Sequence, residues 1–570
     1  MAQPFESKGA GLNMSLFLGG AFGLAASTYW PDAHSLWQHQ VLAWALAAGS
    51  ATSTARGVTL FAKDIAAQRA ILKSEEPGTD HGSAREATEK EMEERGCFDP
   101  SSGSFLGFKF GRAVFGPPDA PFAMFESPPG GGKDIFLNNG NVLHRSLLGQ
   151  SVFASDVKIE IAPMLVQGLE DASIETWCVN PANKHPDICG NVVLGLYQAL
   201  IDAVHSENGG QKDAVGIVQQ FAALHLPDEM AEGGKKYFSA GAKRALSIPP
   251  LLNALVDPTR CNPTRSNELL NDPEAFIRVL KTILTKLESV GSDKEIVAHL
   301  QGEARNLLSR AETNPENFGS FLEWATQCLL PFSRAGHLAD YGQHAERNIK
   351  ALCERPITLF VMTPQSHMKE FEAFASILNA NLLSAIKRQG RKQRIHLSLN
   401  EFLNYKFPDI ASDLEIIRGF GVTADFFIQS YNGLVRKYGK ETAASVSDYC
   451  DVKVFFGLNS YERAKHVSNM LSETTIAGRD YSYRPNDPSS LNATGKRHAR
   501  PLMTADEILS MPRDQAWVFI KGLRPIKVHL AHYGVVDPWK KMVSDNPHEG
   551  PPLQGKTLLK INYANNGDRP

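Results

Sequence analysis

Seven cysteines are scattered between Cys97 and Cys450, and no two of them stand in a C-x-x-C pair. That spacing argues against a zinc site or a disulfide framework, and for reduced packing residues in a cytoplasmic compartment. Net charge is small too, -3 at neutral pH from 59 Lys and Arg against 62 Asp and Glu. A chain so balanced has no global pull toward nucleic acid or acidic lipid, and any contact with DNA must come from local basic patches. No internal repeat at a fixed period is evident, which disfavours a solenoid. No small-residue cleavage site leads into a Cys-paired extracellular segment, which argues against a removed signal peptide. With 42% hydrophobic and 21% charged residues over 570 positions, the composition is that of a folded protein of roughly two or three domains.

Two apolar runs open the chain. Met14 to Trp30 carries no charge, and Val41 to Ala55 reaches Ala62 only through Arg56. Each is near the short limit for crossing a bilayer, roughly 17 to 25 residues. The connector from Pro31 to Gln40 has no Lys or Arg, whereas Lys8 precedes the first run and Arg56, Lys63, Arg69 and Lys73 follow the second. The positive-inside rule then places both ends in the cytoplasm, with Trp30, Trp37 and Trp44 at the level of an aromatic belt. A transmembrane helical hairpin is expected within 1–73, with spans at about 14–30 and 41–62; the alternative is a buried helical hairpin. Residues 74–96 are dense in acid and lack an apolar face, which reads as a solvated spacer.

The stretch from Phe122 to Asp134 begins with four apolar residues suited to a buried strand and continues through Ser127 to Gly130, Gly131, Gly132 and Lys133. Consecutive glycines allow backbone N–H groups to turn inward around a phosphate, and a helix opening at Ile135 would point its positive end at the same anion. The usual phosphate loop has Gly six residues before the Lys and Ser or Thr just after it. Ser127 and Asp134 hold those two places. Taken alone, a glycine-rich turn ending in Lys is also compatible with an ordinary surface turn.

Downstream, Phe105 to Phe115 reads as an edge hairpin, and Gln150 to Asp156 as a second strand after a helix, which together make a βαβ unit. From 191 to 354 apolar residues recur three and four apart between Pro, Asn and Asp breaks, the pattern of an all-α insertion. Alternation of strand and helix resumes at Ile357–Met362, Ile395–Leu399, Asp425–Gln429 and Val452–Phe456, and Ala516–Ile520 with Ile526–Leu530 reads as a closing hairpin. Buried runs separated by helices predict an α/β, doubly wound, mainly parallel sheet over 97–190 and 355–540. The stretch 541–570, rich in Pro, Asn and Gly, is expected to be a flexible tail. The strand Ile395–Leu399 ends in Asn400 and Glu401, where a P-loop ATPase needs one carboxylate for magnesium and another to polarise water. A lone Glu there is also compatible with a solvated strand end.

The order of these motifs, with Gln429 closing the next strand, resembles that of the TraG-type coupling proteins of conjugation and type IV secretion, the membrane-anchored DNA-pumping branch of the RecA-like P-loop ATPases. The likeness is carried jointly by Ser127 to Lys133, Ser155 to Glu160, Lys236 to Leu246, Arg355 to Val361, Arg418 to Val422, Ile428 to Gly439, Ser468 to Ile476, and His498 to Leu509 followed by Val518 to Ile526. The resemblance implies ATP with Mg2+ at the subunit interfaces of a homo-hexamer under the bacterial inner membrane. It also implies a helical cap that docks a relaxase complex or secreted proteins, single-stranded DNA as cargo, and other type IV secretion components as partners. By position, Ser127, Gly130, Gly131, Gly132, Lys133 and Asp134 would bind nucleotide. Glu401 would be the catalytic base, Gln429 the sensor of the γ-phosphate and Arg418 a candidate arginine finger. For Arg418, a helix C-terminal cation ahead of Gly419 is an equally good account. The basic cluster Lys387, Arg388, Arg391, Lys392 and Arg394 is open to two readings, a face for DNA or a solvated helix end.

Asn400 removes one negative charge from the magnesium site and Asp134 adds one nearby. Either the two have exchanged roles, with Asp134 coordinating magnesium and Asn400 positioning a water, or Asp134 repels the phosphates and Asn400 fails to hold the metal, so that nucleotide binds weakly or not at all and the chain is a scaffold or substrate receptor without hydrolysis. Two like charges about 4 Å apart repel by about 4 kcal/mol at an effective dielectric of 20, enough to weaken binding roughly a thousandfold unless a cation intervenes.

Overall fold

The computed structural model describes residues 82–563, apart from 207–210, 228–234, 288–293, 344, 391, 405–406, 408–409 and 485–486, together with 41–56 and a few isolated earlier positions. The chain divides into two compact units, Met1–Arg85 with Lys465–Ala505 and Glu86–Ala464 with Asp506–Pro570.

The larger unit is built on an 11-stranded sheet. Its strands are β1 (Phe105–Lys109), β2 (Arg112–Phe115), β3 (Phe122–Glu126), β4 (Ser151–Asp156), β5 (Thr176–Val179), β6 (Thr358–Met362), β7 (Ile395–Leu399), β8 (Thr423–Ile428), β9 (Val452–Phe456), β10 (Gln515–Ile520) and β11 (Ile526–His529). They lie in the order β2-β1-β11-β10-β9-β3-β8-β7-β4-β6-β5. From β9 to β5 all pairings are parallel, and from β9 outward through β10, β11, β1 and β2 they are antiparallel. The expected mainly parallel α/β sheet is therefore present, with β8 lying between β3 and β7.

Why these runs form a two-faced sheet follows from the pleat. Along β3, Phe122 and Met124 join one apolar core while Ala123 and Phe125 join the other, and β6 divides Leu359 and Val361 from Phe360 and Met362 in the same way. Both faces are covered, so the central strands are apolar throughout and not alternating. The first core is continuous with the helices of the stretch between β5 and β6, from Gln198–Val204 to Ala339–Gln343. On the second face sit α1 (Asn139–Leu147), α2 (Ile161–Asp171) and residues beyond β11.

Two expectations need correction. The stretch after Met542 is anchored, not wholly loose: Val543, Leu559 and Ile561 are buried while most residues between them are exposed, and Val536 to Asp537 pairs in parallel with Leu559 to Lys560. The physical reason is close backbone approach to glycines that lie outside the segment. A Cβ on Gly168 would fall 1.9 Å from the Met542 carbonyl oxygen, and one on Gly534 would fall 1.8 Å from that of Leu553. Just before this segment Trp539 is fully buried against α1, where a Cβ on Gly140 would stand 2.6 Å from its ring. Its indole N–H donates to the Tyr563 hydroxyl at 3.0 Å. Second, the acidic spacer is folded at its end. Thr88 and Glu91 form a reciprocal cap on the helix Glu89–Glu94, and Ala87 and Met92 are buried; residues 74–81 lie outside the described residues. The edge strand β5 and, in the smaller unit, the antiparallel pair Glu473–Arg484 with Asp487–Pro501 are strands beyond those expected from the sequence.

The first apolar run, 14–30, lies outside the described residues except for Leu24, and 41–56 is helical with Val41, Leu42 and Trp44 exposed. Among the described residues no helix is long and apolar enough to cross a membrane.

Replacing Trp539 by Ala is expected to cost about 3–5 kcal/mol, the range for deleting a fully buried aromatic. Urea unfolding followed by circular dichroism measures it, and an unchanged midpoint would contradict the packed C-terminal segment.

Candidate functional site

Strand β3 ends in Glu126, which is 2% exposed and accepts two N–H bonds from the Arg463 guanidinium, at 2.7 and 2.5 Å. Ser127 extends the ladder by donating its N–H to the Ile428 carbonyl at 3.1 Å. The chain then turns through Gly130 and Gly132, whose φ values of +76° and +85° suit glycine alone. Gly131 is needed for space, since a Cβ there would lie 1.9 Å from Ser127 Oγ. The first turn after Lys133 is wide, because Asn139 donates its N–H back to the Asp134 carbonyl, five residues earlier, before α1 settles into ordinary helix.

At the end of β7, Glu401 adopts φ +54°, a left-handed backbone that costs a non-glycine residue about 1–2 kcal/mol. Its side chain is held from two sides. Lys133 Nζ donates to Oε1 at 2.6 Å, and Gln429 Nε2, from the end of the intervening β8, donates to Oε2 at 2.8 Å. The Lys133 and Glu401 side chains are only 8% and 10% exposed. Three residues singled out in sequence are thus brought into direct contact at the C-terminal ends of β3, β7 and β8.

Asp134 is equally engaged. Its Oδ1 accepts from Asn400 Nδ2 at 2.9 Å and from Asn138 Nδ2 at 3.3 Å, and its Oδ2 accepts from Lys158 Nζ at 3.2 Å. Lys158 Nζ also stands 3.9 Å from Glu401 Oε1. Burial works against the Lys158 charge, but Asp134 and Glu401 outweigh it and hold its pKa above the usual lysine value. Two ammonium groups therefore face two carboxylates, and the repulsion expected from an unpaired Asp134 is offset by a cation that motif spacing did not pick out. Lys158 lies inside the stretch Ser155 to Glu160, but nothing in that stretch tells which way a lysine after a strand will turn. The backbone beneath is fixed by Ser155 Oγ donating to the Asn400 carbonyl at 2.6 Å and Ser398 Oγ donating to Asn138 Oδ1 at 2.7 Å.

Two buried polar atoms here, Ser127 Oγ and Asn400 Oδ1, have no hydrogen-bond partner. Each would ordinarily cost about 1–3 kcal/mol, so both are places where a ligand, cation or water is favoured. Gly130 to Gly132, Lys133 and these two oxygens fit a phosphate with its cation.

A buried polar chain ties the site-bearing elements together. Arg145 of α1 donates to Ser104 Oγ at 2.9 Å, Ser104 Oγ donates to Asp425 Oδ1 at 2.6 Å, and His396 Nε2 of β7 stands 3.4 Å from Asp425 Oδ2. Burial pulls Arg145 down to about 10, which leaves it charged at neutral pH, and pushes His396 below its usual range, which leaves it neutral.

Other candidates lie elsewhere. Arg418 donates to the Asp119 carbonyl and pairs with Asp451 Oδ2, each at 3.2 Å. Asp119, Arg418 and Asp451 precede β3, β8 and β9, so Arg418 stands at the opposite ends of the strands from the glycine loop. Of the basic cluster, Lys387 is committed to Asp413 at 2.6 Å, and Arg391 lies outside the described residues.

A glycine loop between a parallel strand and a helix, closed by a lysine that meets a glutamate two strands away, defines the class of P-loop nucleotide-binding proteins. Within that class the sequence profile described as "Type IV secretory system Conjugative DNA transfer" matches residues 79–535, and the chain belongs to this family. It is 25% identical over 325 residues to the conjugal transfer protein TraG of Escherichia coli, 53% of this chain and 50% of that protein. To VirD4 of Rhizobium radiobacter it is 22% identical over 464 residues, 80% of this chain and 64% of that protein. The chain thus spans about half to two thirds of the length of these relatives. Among solved structures, the conjugative coupling protein TrwBdeltaN70 in its unbound monoclinic form superimposes with TM-score 0.54 at 15% identity, covering 79% of this chain and 95% of that one. TrwB in complex with ADP and Mg2+ does so with TM-score 0.51 at 14% identity, covering 79% and 94%. These likenesses establish the fold.

One group at the edge of the site gives a pH signature. Asp156, closing β4, accepts the N–H groups of Glu160 and Ala162 at 3.1 and 2.9 Å, and burial pushes its carboxyl up to about 6. The folded state therefore keeps this proton to higher pH than the unfolded chain, whose aspartate titrates near 3.9. Its contribution to stability is largest below about pH 4, falls by up to about 3 kcal/mol between pH 4 and 6, and is flat above. Asp156→Asn is expected to become more stable relative to wild type across that interval in paired denaturation curves; a constant difference would remove the assignment.

Proposed function

We propose that the chain is a coupling protein of a type IV secretion or conjugation channel. In this reading it binds ATP with Mg2+ and uses it to drive transfer of single-stranded DNA with its relaxase complex, or of secreted proteins. The observation that carries the reading is the contact of Lys133, Glu401 and Gln429 at the ends of neighbouring strands, beside a neutralised Asp134.

Gly130 to Gly132 and Lys133 would hold the phosphates, with Asp134 and Asn400 serving the cation. When bound, Mg2+·ATP supplies the phosphoanhydride to be cleaved and a divalent charge to neutralise it. In the structure Lys133 and Glu401 neutralise each other. An anion that draws Lys133 away leaves Glu401 as a free acceptor, still oriented by Gln429, in position to take a proton from water. Gln429, donating to Glu401 Oε2, would link the state of that carboxylate to β8. Arg418 would act from its far end of the sheet only across a subunit boundary, as a finger in a homo-hexamer. Membrane anchoring at the bacterial inner membrane belongs to the same proposal. It is supported by exposed Val41, Leu42 and Trp44 on the helical stretch 41–56.

The alternative, a scaffold without hydrolysis, rests on an uncompensated Asp134 together with an Asn400 that fails to hold the metal, and the first of these two grounds is weakened. Lys158 at 3.2 Å supplies the compensation.

Steady-state phosphate release by the purified full chain, with and without single-stranded DNA, is expected to require magnesium, rise with DNA and fall to background in Lys133→Ala. Lys158→Ala is expected to weaken nucleotide binding about tenfold, since the pair is partly exposed and screened. Background rates in wild type, together with turnover gained by Asp134→Thr with Asn400→Asp, would instead establish the scaffold.

A further inference from the structure

Away from the glycine loop, His337, His367 and Glu370 converge so that one ligand atom from each lies within 4.8 Å of the other two. They come from separate places in the chain. His367 ends the short turn Gln365–His367 that follows β6, Glu370 lies in the first turn of the helix Met368–Gln389, and His337 belongs to the turn after Leu330–Phe332. That turn is shaped by Gly336 donating to the Ser333 carbonyl at 2.8 Å and Leu338 donating to that of Pro331 at 2.9 Å. His337 Nδ1 is 2.8 Å from Glu370 Oε2, His367 Nδ1 is 4.0 Å from Glu370 Oε1, and the two imidazole rings stand 4.5 Å apart. Fully buried Phe371 packs edge-on or tilted against both rings, at 6.5 and 5.8 Å, which limits their rotation. The side chains remain 52%, 32% and 42% exposed, so an ion could enter and retain a solvent ligand.

We propose that His337, His367 and Glu370 form a site for a divalent transition metal of the zinc type, distinct from the magnesium of the nucleotide. Two imidazoles and a carboxylate are the donor set of an open zinc site, with Zn–N near 2.0–2.1 Å and a fourth position for water. Magnesium and calcium prefer an all-oxygen shell and would not choose two imidazoles. The three ligand atoms already lie within 4.8 Å of one another. The consequence is mechanical: the ion staples the turn before Ala339–Gln343, in the helical stretch, to the helix that leaves β6.

The test uses the full chain stripped with a chelator and titrated with Zn2+ against a chromogenic competitor, with Co2+ as a spectroscopic stand-in. One equivalent per chain is expected at micromolar or tighter affinity, unaffected by millimolar Mg2+, with visible cobalt bands. His337→Ala with His367→Ala is expected to lose at least about thirtyfold in affinity and the cobalt bands, and Glu370→Gln about tenfold. All three positions are partly exposed, and thermal unfolding without metal checks that the variants fold as wild type does. Absence of a saturable equivalent, equal uptake by the double variant, or displacement by Mg2+ overturns the proposal.

Discussion

Charge balance at the ends of β3, β4, β7 and β8 is the condition on which the site depends. Lys133 and Lys158 face Asp134 and Glu401 in a region where both acids and Lys133 are largely withdrawn from water. An unmatched charge there would be costly, and each partner removes the penalty of the other. The left-handed backbone of Glu401 persists because its two carboxylate oxygens are gripped from separate strands. Strain of this kind survives only where its surroundings over-determine it.

Beneath the strand ends, the same economy of polar partners is repeated inside the sheet. Arg145, Ser104 and Asp425 form one buried hydrogen-bonded chain from α1 to β8, and His396 of β7 joins β8 through Nδ1 and Thr423 Oγ1 at 2.9 Å. Removing one member would strand the others without water, so the network fixes the relative placement of three elements more firmly than apolar contact alone. Lys133, Glu401 and Gln429 each sit at the end of one of those elements or of the loop leading to it. Their convergence is thus anchored well below the surface at which they meet.

Much of this was legible from residue order. Strand runs such as Phe122–Glu126 and Thr358–Met362 announce themselves because burial on both faces demands apolar residues throughout. Glycines at 130–132 announce the loop because few other residues tolerate its backbone. Lys158 was not legible, since nothing local tells whether a lysine after a strand turns to solvent or to a carboxylate. Neither was the packing of Val543, Leu559 and Ile561. Isolated apolar residues in a Pro- and Gly-rich segment carry no period, and their burial depends on glycines hundreds of residues away. Strand β5 escaped because Thr-Trp-Cys-Val is short and lies at the sheet edge. Met92 escaped because one buried residue among glutamates makes no stripe.

The sheet closes through partners that are remote in the chain: Phe108 of β1 pairs with His529 of β11, and α1 is covered by Trp539. During synthesis the glycine loop and its helix leave the ribosome long before the residues that cover them. At roughly 5–20 residues per second, several hundred residues of elongation separate the two events by tens of seconds. For that interval α1 has its neighbours from β1, β4 and α2 but lacks the cover of Trp539.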